Sequence, residues 1–243
     1  MYFLLAFVLY ILIITVNLTL ILTVIMEKSL HEPMYIFLSN LCVNSLFGTI
    51  GFYPKFLLDL LSDTHTVTYS WCLLQVYVIY SSVICEISNI TVMSYDRYVA
   101  ICRPLQYHSI LTPHAVLKLL VVAWACPLLA SSTALVLTLR IPICGSHIRK
   151  LFCDNTLILK LACFQTKANQ VWGMILTAAV SDVLYGWEGS EKLSVSERNA
   201  LAIQFLIFPP LLNPIIYGLQ LPQIRKVVCR QRCKHKILCK LKR

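Results

Sequence analysis

Met93-Ser94-Tyr95-Asp96-Arg97-Tyr98-Val99-Ala100-Ile101-Cys102 sets an acid beside a base at the end of an otherwise apolar run. Upstream of it, residues 70–95 carry one charged side chain, Glu86. A stretch of that length and polarity reads as a membrane helix, and the charge pair marks where it meets water, on the side where a partner could read it. An Asp-Arg dipeptide by itself is common; its position at the end of this run is what gives it meaning.

The rest of the chain repeats the pattern. Of its 243 residues 58% are hydrophobic and only 13% charged, with a mean hydropathy of +0.73. That composition excludes an ordinary soluble globular domain. No charge occurs in residues 1–26, 34–54, 119–139 or 200–224, and each run reaches the roughly 20 residues needed to cross a bilayer. The expected fold is therefore all-α, a polytopic membrane helix bundle in one domain over residues 1–243, with about five full spans at 2–26, 34–61, 70–101, 117–139 and 200–219. Residues 1–26 lack the basic leader and small-residue cleavage site of a secretory signal, and their apolar part is too long for one, so they are read as the first span.

Orientation follows from the basic amphipathic tail, residues 221–243. Arg225, Lys226, Arg230, Arg232, Lys234, Lys236, Lys240, Lys242 and Arg243 occur there without an acid and supply much of the net charge of +10. Basic flanks stay on the cytoplasmic side, which puts the carboxyl terminus inside and, with five spans, the amino terminus outside. Arg140, Arg149, Lys150, Lys160 and Lys167 argue the other way, but the tail holds more charge and flanks a span directly. No nucleic-acid-binding fold precedes the tail, so its expected partner is the anionic face of the lipid bilayer, not nucleic acid.

Between the spans, Leu30-His31-Glu32-Pro33-Met34-Tyr35 puts a proline in the first turn of the second helix, where its missing N–H costs little. Residues 62–70 suit a tight outer turn, and 103–114, with basic residues and two prolines, a cytoplasmic loop. Residues 140–167 form a polar segment with three cysteines, too long for a simple hairpin. Residues 169–181 are apolar but, at about 20 Å as a helix against a core of about 30 Å, make only a partial span.

Near the end of the chain, Asn213-Pro214-Ile215-Ile216-Tyr217 follows Pro209-Pro210-Leu211-Leu212 and precedes Gly218-Leu219. Proline frees a backbone carbonyl, which Asn213 can satisfy, making a hinge. Together with the ten residues ending at Cys102, this string resembles the olfactory (odorant) receptors of the rhodopsin-like G-protein-coupled receptor family. The resemblance implies a seven-helix plan, a small-molecule odorant, a heterotrimeric G protein, the plasma membrane and a part in the sensory perception of smell. It gives Asp96, Arg97, Tyr98, Asn213, Pro214 and Tyr217 roles in G-protein coupling and switching.

Further residues take meaning from the same resemblance. Cys72, Cys144, Cys153 and Cys163 fall on the outer side, where the compartment is oxidising, and the residues alone leave their pairing open. The family pattern implies Cys72–Cys153 and Cys144–Cys163. It also implies an odorant pocket on the third span at Tyr80, Val83, Ile84 and Ile87, a stripe that at helical spacing is more often plain helix packing. Glu86 is an acid at membrane depth and a functional candidate by default. With Asn44, Ser45 and Asn213 it could line a polar pocket holding water or a sodium ion, or be protonated and hydrogen-bonded. The family commonly has an aspartate where this chain has Ser45.

Cys229, Cys233 and Cys239 alternate with basic residues in the tail and are candidates for palmitoylation, with unmodified thiols the equal alternative. With His235 they match no recognised zinc spacing, and neither a metal nor an organic cofactor is expected. Nor is an enzyme expected: His31-Glu32 lacks the second histidine of a metalloprotease helix, and no nucleophile elbow or phosphate-cradling glycine loop occurs. Both sequons, Asn17-Leu18-Thr19 and Asn89-Ile90-Thr91, fall inside spans.

The family pattern breaks between residues 169 and 200. The rest of span five, the third inner loop and span six have no counterpart, a gap of about fifty residues by span and loop lengths. In the receptors this chain resembles, outward motion of span six opens the crevice that admits the G protein. The expectation is an odorant receptor with impaired signalling; the alternative is a non-signalling membrane protein that associates with full-length receptors. A channel or transporter subunit is weaker, because Glu86 is the one charge at depth.

Overall fold

The computed structural model describes residues 2–62, 66–145, 153, 158–159, 161–163, 171–172, 209–214, 216 and 224. Four long helices carry the architecture: α1 (Tyr2–Met26), α2 (Pro33–Asp59), α3 (Tyr69–Cys102) and α5 (Pro113–Leu139), with a 3-10 turn (Pro104–Gln106) and a short helix α4 (Tyr107–Ile110) between the last two. Each long helix is long and apolar enough to cross a membrane. The chain is thus a multi-pass membrane protein. The fifth expected span, 200–219, lies largely outside the described residues; 209–214 and 216 within it are helical. Of the partial span 169–181, only 171–172 are described.

Local chemistry sets the helix starts. Thr68 Oγ1 accepts from the Trp71 amide at 3.4 Å and Thr112 Oγ1 from the Ala115 amide at 3.3 Å, each relieving one of the unpaired N–H groups at a helix start. Pro33 and Pro113 occupy first-turn positions, where their fixed φ favours the helix. The fourth span consequently begins at Pro113, not near residue 117. Lys118 lies within it, exposed, and its long stem can carry the ammonium to water. The second span ends at Asp59 instead of 61.

In the bundle α3 is central, packing against α2 on one side and α5 on the other, while α1 packs on α2. Small residues bring α2 and α3 close. A Cβ on Gly48 would lie 2.9 Å from Ser82 Oγ, and one on Gly51 2.9 Å from Val78 Cγ1. Polar side chains tie three helices together: Trp124 Nε1 donates to Asn40 Oδ1 at 2.8 Å, and Asn40 donates in turn to Asn89. With lipid as apolar as the helix faces, close approach and such interhelical bonds hold a bundle together. Asn89 is buried within this network.

Candidate functional site

At the end of the bundle where α3 starts, two disulfides anchor the following loop. Cys72 is bonded to Cys153 (Cα–Cα 5.4 Å) and Cys144 to Cys163 (5.0 Å). The first pins the loop to α3; the second closes it on itself beside an antiparallel bridge between Ile143 and Ala162. A Cβ at Gly145 would meet Leu161 Cδ2 at 2.6 Å, so a larger residue there would push the leucine side chain aside. A second clamp is independent of sulfur: the buried Gln75 carboxamide accepts from the Cys153 amide at 2.8 Å and donates to the Gly51 carbonyl at 2.9 Å.

Below this loop lies a small cleft between α3 and α5, lined by Leu73, Tyr77 and Tyr80 from α3 and by Ser131, Leu135 and Thr138 from α5, among others. Leu73 belongs to the apolar cluster that includes Cys72, Cys153 and Ile158, with Leu135 packed against it. Loop and cleft are therefore continuous. Of the four pocket residues expected on α3, Tyr80 lines the cleft. Val83, Ile84 and Ile87 are half-buried on the same helix and are not among its lining.

Midway along the bundle, Asn213 Nδ2 donates to Glu86 Oε1 at 2.7 Å. Asn213 thus holds the acid rather than the carbonyl that Pro214 leaves without its helical donor. That carbonyl belongs to Pro210, and Asn17 on α1 satisfies it at 2.8 Å. The expected role of Asn213 at the hinge passes to Asn17 because Asn213 is the residue that reaches the carboxylate. Asn44 donates to the Ser82 carbonyl at 2.9 Å and Ser45 to the Leu41 carbonyl at 3.1 Å. Among the described residues neither of them is hydrogen-bonded to Glu86. Pro214 is buried in helix, whereas Tyr217, Cys229, Cys233 and Cys239 lie outside the described residues.

At the other end of the bundle, Asp96 is fully buried (0% exposed) and takes bonds from two sides. Arg97 Nε donates to Asp96 Oδ2 at 2.8 Å, joined by Nη2 of the same guanidinium, and Tyr107 Oη donates to Oδ1 at 2.7 Å. The Arg97 side chain stays 47% exposed and Tyr98 54%, so this end presents a cation and a phenol outward. Burial pushes the Tyr107 phenol above its ordinary value, helped by the hydrogen bond to Asp96 and by its charge, with Arg97 opposing.

The sequence pattern of the family described as olfactory receptor matches residues 6–185. The human "Olfactory receptor 6N1" is 30% identical over 277 aligned positions, covering 94% of this chain and 89% of the relative. The chain belongs to the olfactory receptor family. The mouse "Olfactory receptor 1E16" is 29% identical, covering 91% of this chain and 86% of the relative. The mouse "Olfactory receptor 2A7" is 39% identical over 162 positions, covering 66% of this chain and 51% of the relative. The 277 positions aligned with the first exceed the 243 residues of the whole chain, so the relative holds an internal stretch with no counterpart here. An olfactory receptor of this length is a shortened version of the helical bundle, and the family is one of receptors, not enzymes.

Three residues of this olfactory receptor were missed by reasoning from sequence: Gln75, Tyr107 and Ser131. For Gln75 a signal existed, a polar side chain three residues after Cys72 on an apolar helix, where burial requires a partner. Ser131 gave none, because serines in spans usually bond back to their own helix. Tyr107 lay in a segment read only as a loop.

Proposed function

We propose that this chain is an odorant-binding receptor of the plasma membrane, with its disulfide end outside and its basic tail in the cytoplasm. The observation that carries the reading is the cleft between α3 and α5 beneath a doubly cross-linked loop, concave and mostly apolar in its lining. Arg97 and Tyr98, with the buried Asp96 holding Arg97 from within, form the face toward a heterotrimeric G protein, and the internal gap relative to the family weakens transmission between the two ends. Odorant-evoked cyclic AMP in cells expressing this chain is expected to be far below that of the same chain with the missing stretch restored. An equal response would overturn the impaired-signalling part of the reading.

A second reading has support of its own. The apolar residues Leu117, Val121, Val122, Leu129 and Val136 of α5 are exposed, a face on which another receptor could pack within the bilayer. In that case the chain alters the trafficking of full-length receptors, and surface staining of a co-expressed receptor changes when the chain is present.

The polar middle of the bundle bears on a sodium ion. Glu86 supplies one carboxylate, and Asn44 Oδ1 is buried without a partner, an oxygen that a cation could use. Ser45 is committed to its own helix and brings no charge, which leaves the donor set thin for a hard cation. If sodium binds, added sodium raises the melting temperature of the wild type and leaves that of Glu86→Gln unmoved. Lipid attachment at Cys229, Cys233 and Cys239 would add to membrane anchoring of the tail, and palmitate labelling lost in the triple Cys→Ser variant tests it.

A further inference from the structure

We infer that the Ser131 hydroxyl is the polar recognition group of the cleft, and that its occupant is a small neutral molecule presenting a hydroxyl or carbonyl oxygen. This rests on the odorant-binding reading and narrows it to a chemical class.

Hydroxyls on these helices have a habitual solution. Thr15, Thr19, Thr23, Ser81, Ser88 and Ser132 each donate to the carbonyl one turn earlier, at 2.6–3.0 Å, which removes an unpaired donor from the apolar phase. Ser131 departs from the habit. It is 3% exposed, its Oγ has no partner, and among the described residues it is the only serine or threonine so stranded. An unpaired buried hydroxyl costs on the order of 1–3 kcal/mol, and this one lines the cleft. Its neighbour Ser132 spends its proton on the Leu128 carbonyl at 2.7 Å, so the difference is local and not a property of the segment.

The chemistry of the occupant follows from the lining. A serine hydroxyl both donates and accepts, so an alcohol or a ketone can complete it. None of the lining residues is charged, so an ammonium or carboxylate entering the cleft would lose its hydration without a counter-charge. A hydrocarbon would leave the hydroxyl stranded. The free volume is about 20 Å³, room for about one water-sized group, so it is the oxygen end of the occupant that the cleft takes.

The test is saturation-transfer NMR on the full chain in lipid nanodiscs, with butanol, butanone and butylammonium as probes. Wild type is expected to bind the first two and not the third. Ser131→Ala weakens both by about tenfold, the worth of one hydrogen bond in a buried site, while Ser131→Thr, which keeps the hydroxyl, retains them. Ala134 also lines the cleft, and Ala134→Trp, filling it, abolishes binding altogether. A melting curve for each variant confirms folding, and Ser131→Cys serves in place of the alanine variant if that one does not fold. If Ala134→Trp blocks butanol and Ser131→Ala does not weaken it, the recognition role of Ser131 is overturned while the odorant cleft stands. If Ala134→Trp leaves butanol binding intact, the location of the odorant site fails as well. Binding of butylammonium as tightly as butanol, or no binding of any probe because the cleft holds only water, also overturns the inference.

Discussion

Tyr107 donates to Asp96 Oδ1 at 2.7 Å, reaching from the short helix after the third span to a fully buried carboxylate within it. The bond ties the connecting segment to the acid that also holds Arg97. Tyr107→Phe removes one charge-assisted bond and is expected to destabilise the bundle by about 1–2 kcal/mol. It should also free Arg97 to leave Asp96 more often. A double-mutant cycle with Asp96→Asn, read by thermal unfolding, should give a coupling of about 1 kcal/mol; additive effects would show that the bond contributes nothing.

The raised titration of Tyr107 gives this contact a pH signature. Burial first, then the hydrogen bond and charge of Asp96, favour the neutral phenol in the folded protein. Above the ordinary tyrosine value of about 10 the unfolded chain loses its proton first, so the folded state binds more protons and stability falls as pH rises. The stability gap between wild type and Tyr107→Phe should therefore be flat from neutral pH to about pH 10 and close above it. Parallel unfolding curves over that range measure the gap, and a gap that widens with alkali would contradict the assignment.

Gln75 makes the position of Cys153 independent of the disulfide. Its carboxamide spans from the Cys153 amide to the Gly51 carbonyl, next to the carbonyl of Ile50, which Pro54 leaves without its helical donor. Reduction of wild type is expected to leave the Cys153 amide protected from hydrogen exchange. Gln75→Leu strands the buried Cys153 amide at about 1–3 kcal/mol and removes the side-chain donor to the Gly51 carbonyl, and exchange at Cys153 should rise even with the disulfide intact. Unchanged exchange in that variant would mean that the bond to sulfur alone holds the loop.

How much of this was legible beforehand depends on the range of the interaction. The spans announce themselves through charge-free runs, because the bilayer penalises charge and unpaired backbone in every such segment. Their ends shift by a few residues where capping decides, as Thr112 and Pro113 do. Bonds between distant residues leave no local trace. Asn17 and Pro210 are far apart in the chain, yet one supplies what the other lacks, and from sequence Asn213 was the nearer donor. Tyr80, which the family pattern put forward, lines the cleft, whereas nothing in the sequence pointed to Ser131, because its distinction is a bond it does not make.

Close approach of α2 and α3 at Gly51 predicts an asymmetric pair of variants. A Cβ there lies 2.9 Å from Val78 Cγ1 and 3.1 Å from Val78 Cβ, and the valine, branched at Cβ, has little room to rotate away. Gly51→Ala should cost about 1–3 kcal/mol through overpacking. Combining it with Val78→Ala removes the obstructing methyls and should recover part of the loss, although each change alone destabilises. Melting temperatures of the two single variants and the double decide it; strict additivity would place the strain elsewhere.

Asn17 and Glu86 hold the proline-containing segment from two different helices. Asn17 Nδ2 donates to the Pro210 carbonyl, the one that Pro214 cannot serve, and Glu86 accepts from Asn213. Asn17→Leu leaves that carbonyl unsatisfied among apolar neighbours, a loss of about 1–3 kcal/mol. Glu86→Gln keeps an oxygen that can accept from Asn213 and should melt close to wild type, whereas Glu86→Leu should lose about as much as Asn17→Leu. Since each bond restrains the same segment, the second loss should be smaller once the first has occurred, and the double variant should fall short of the sum. A double variant that loses the full sum would mean that the two ends of this segment are held independently and that the Asn-Pro hinge does not move as one unit.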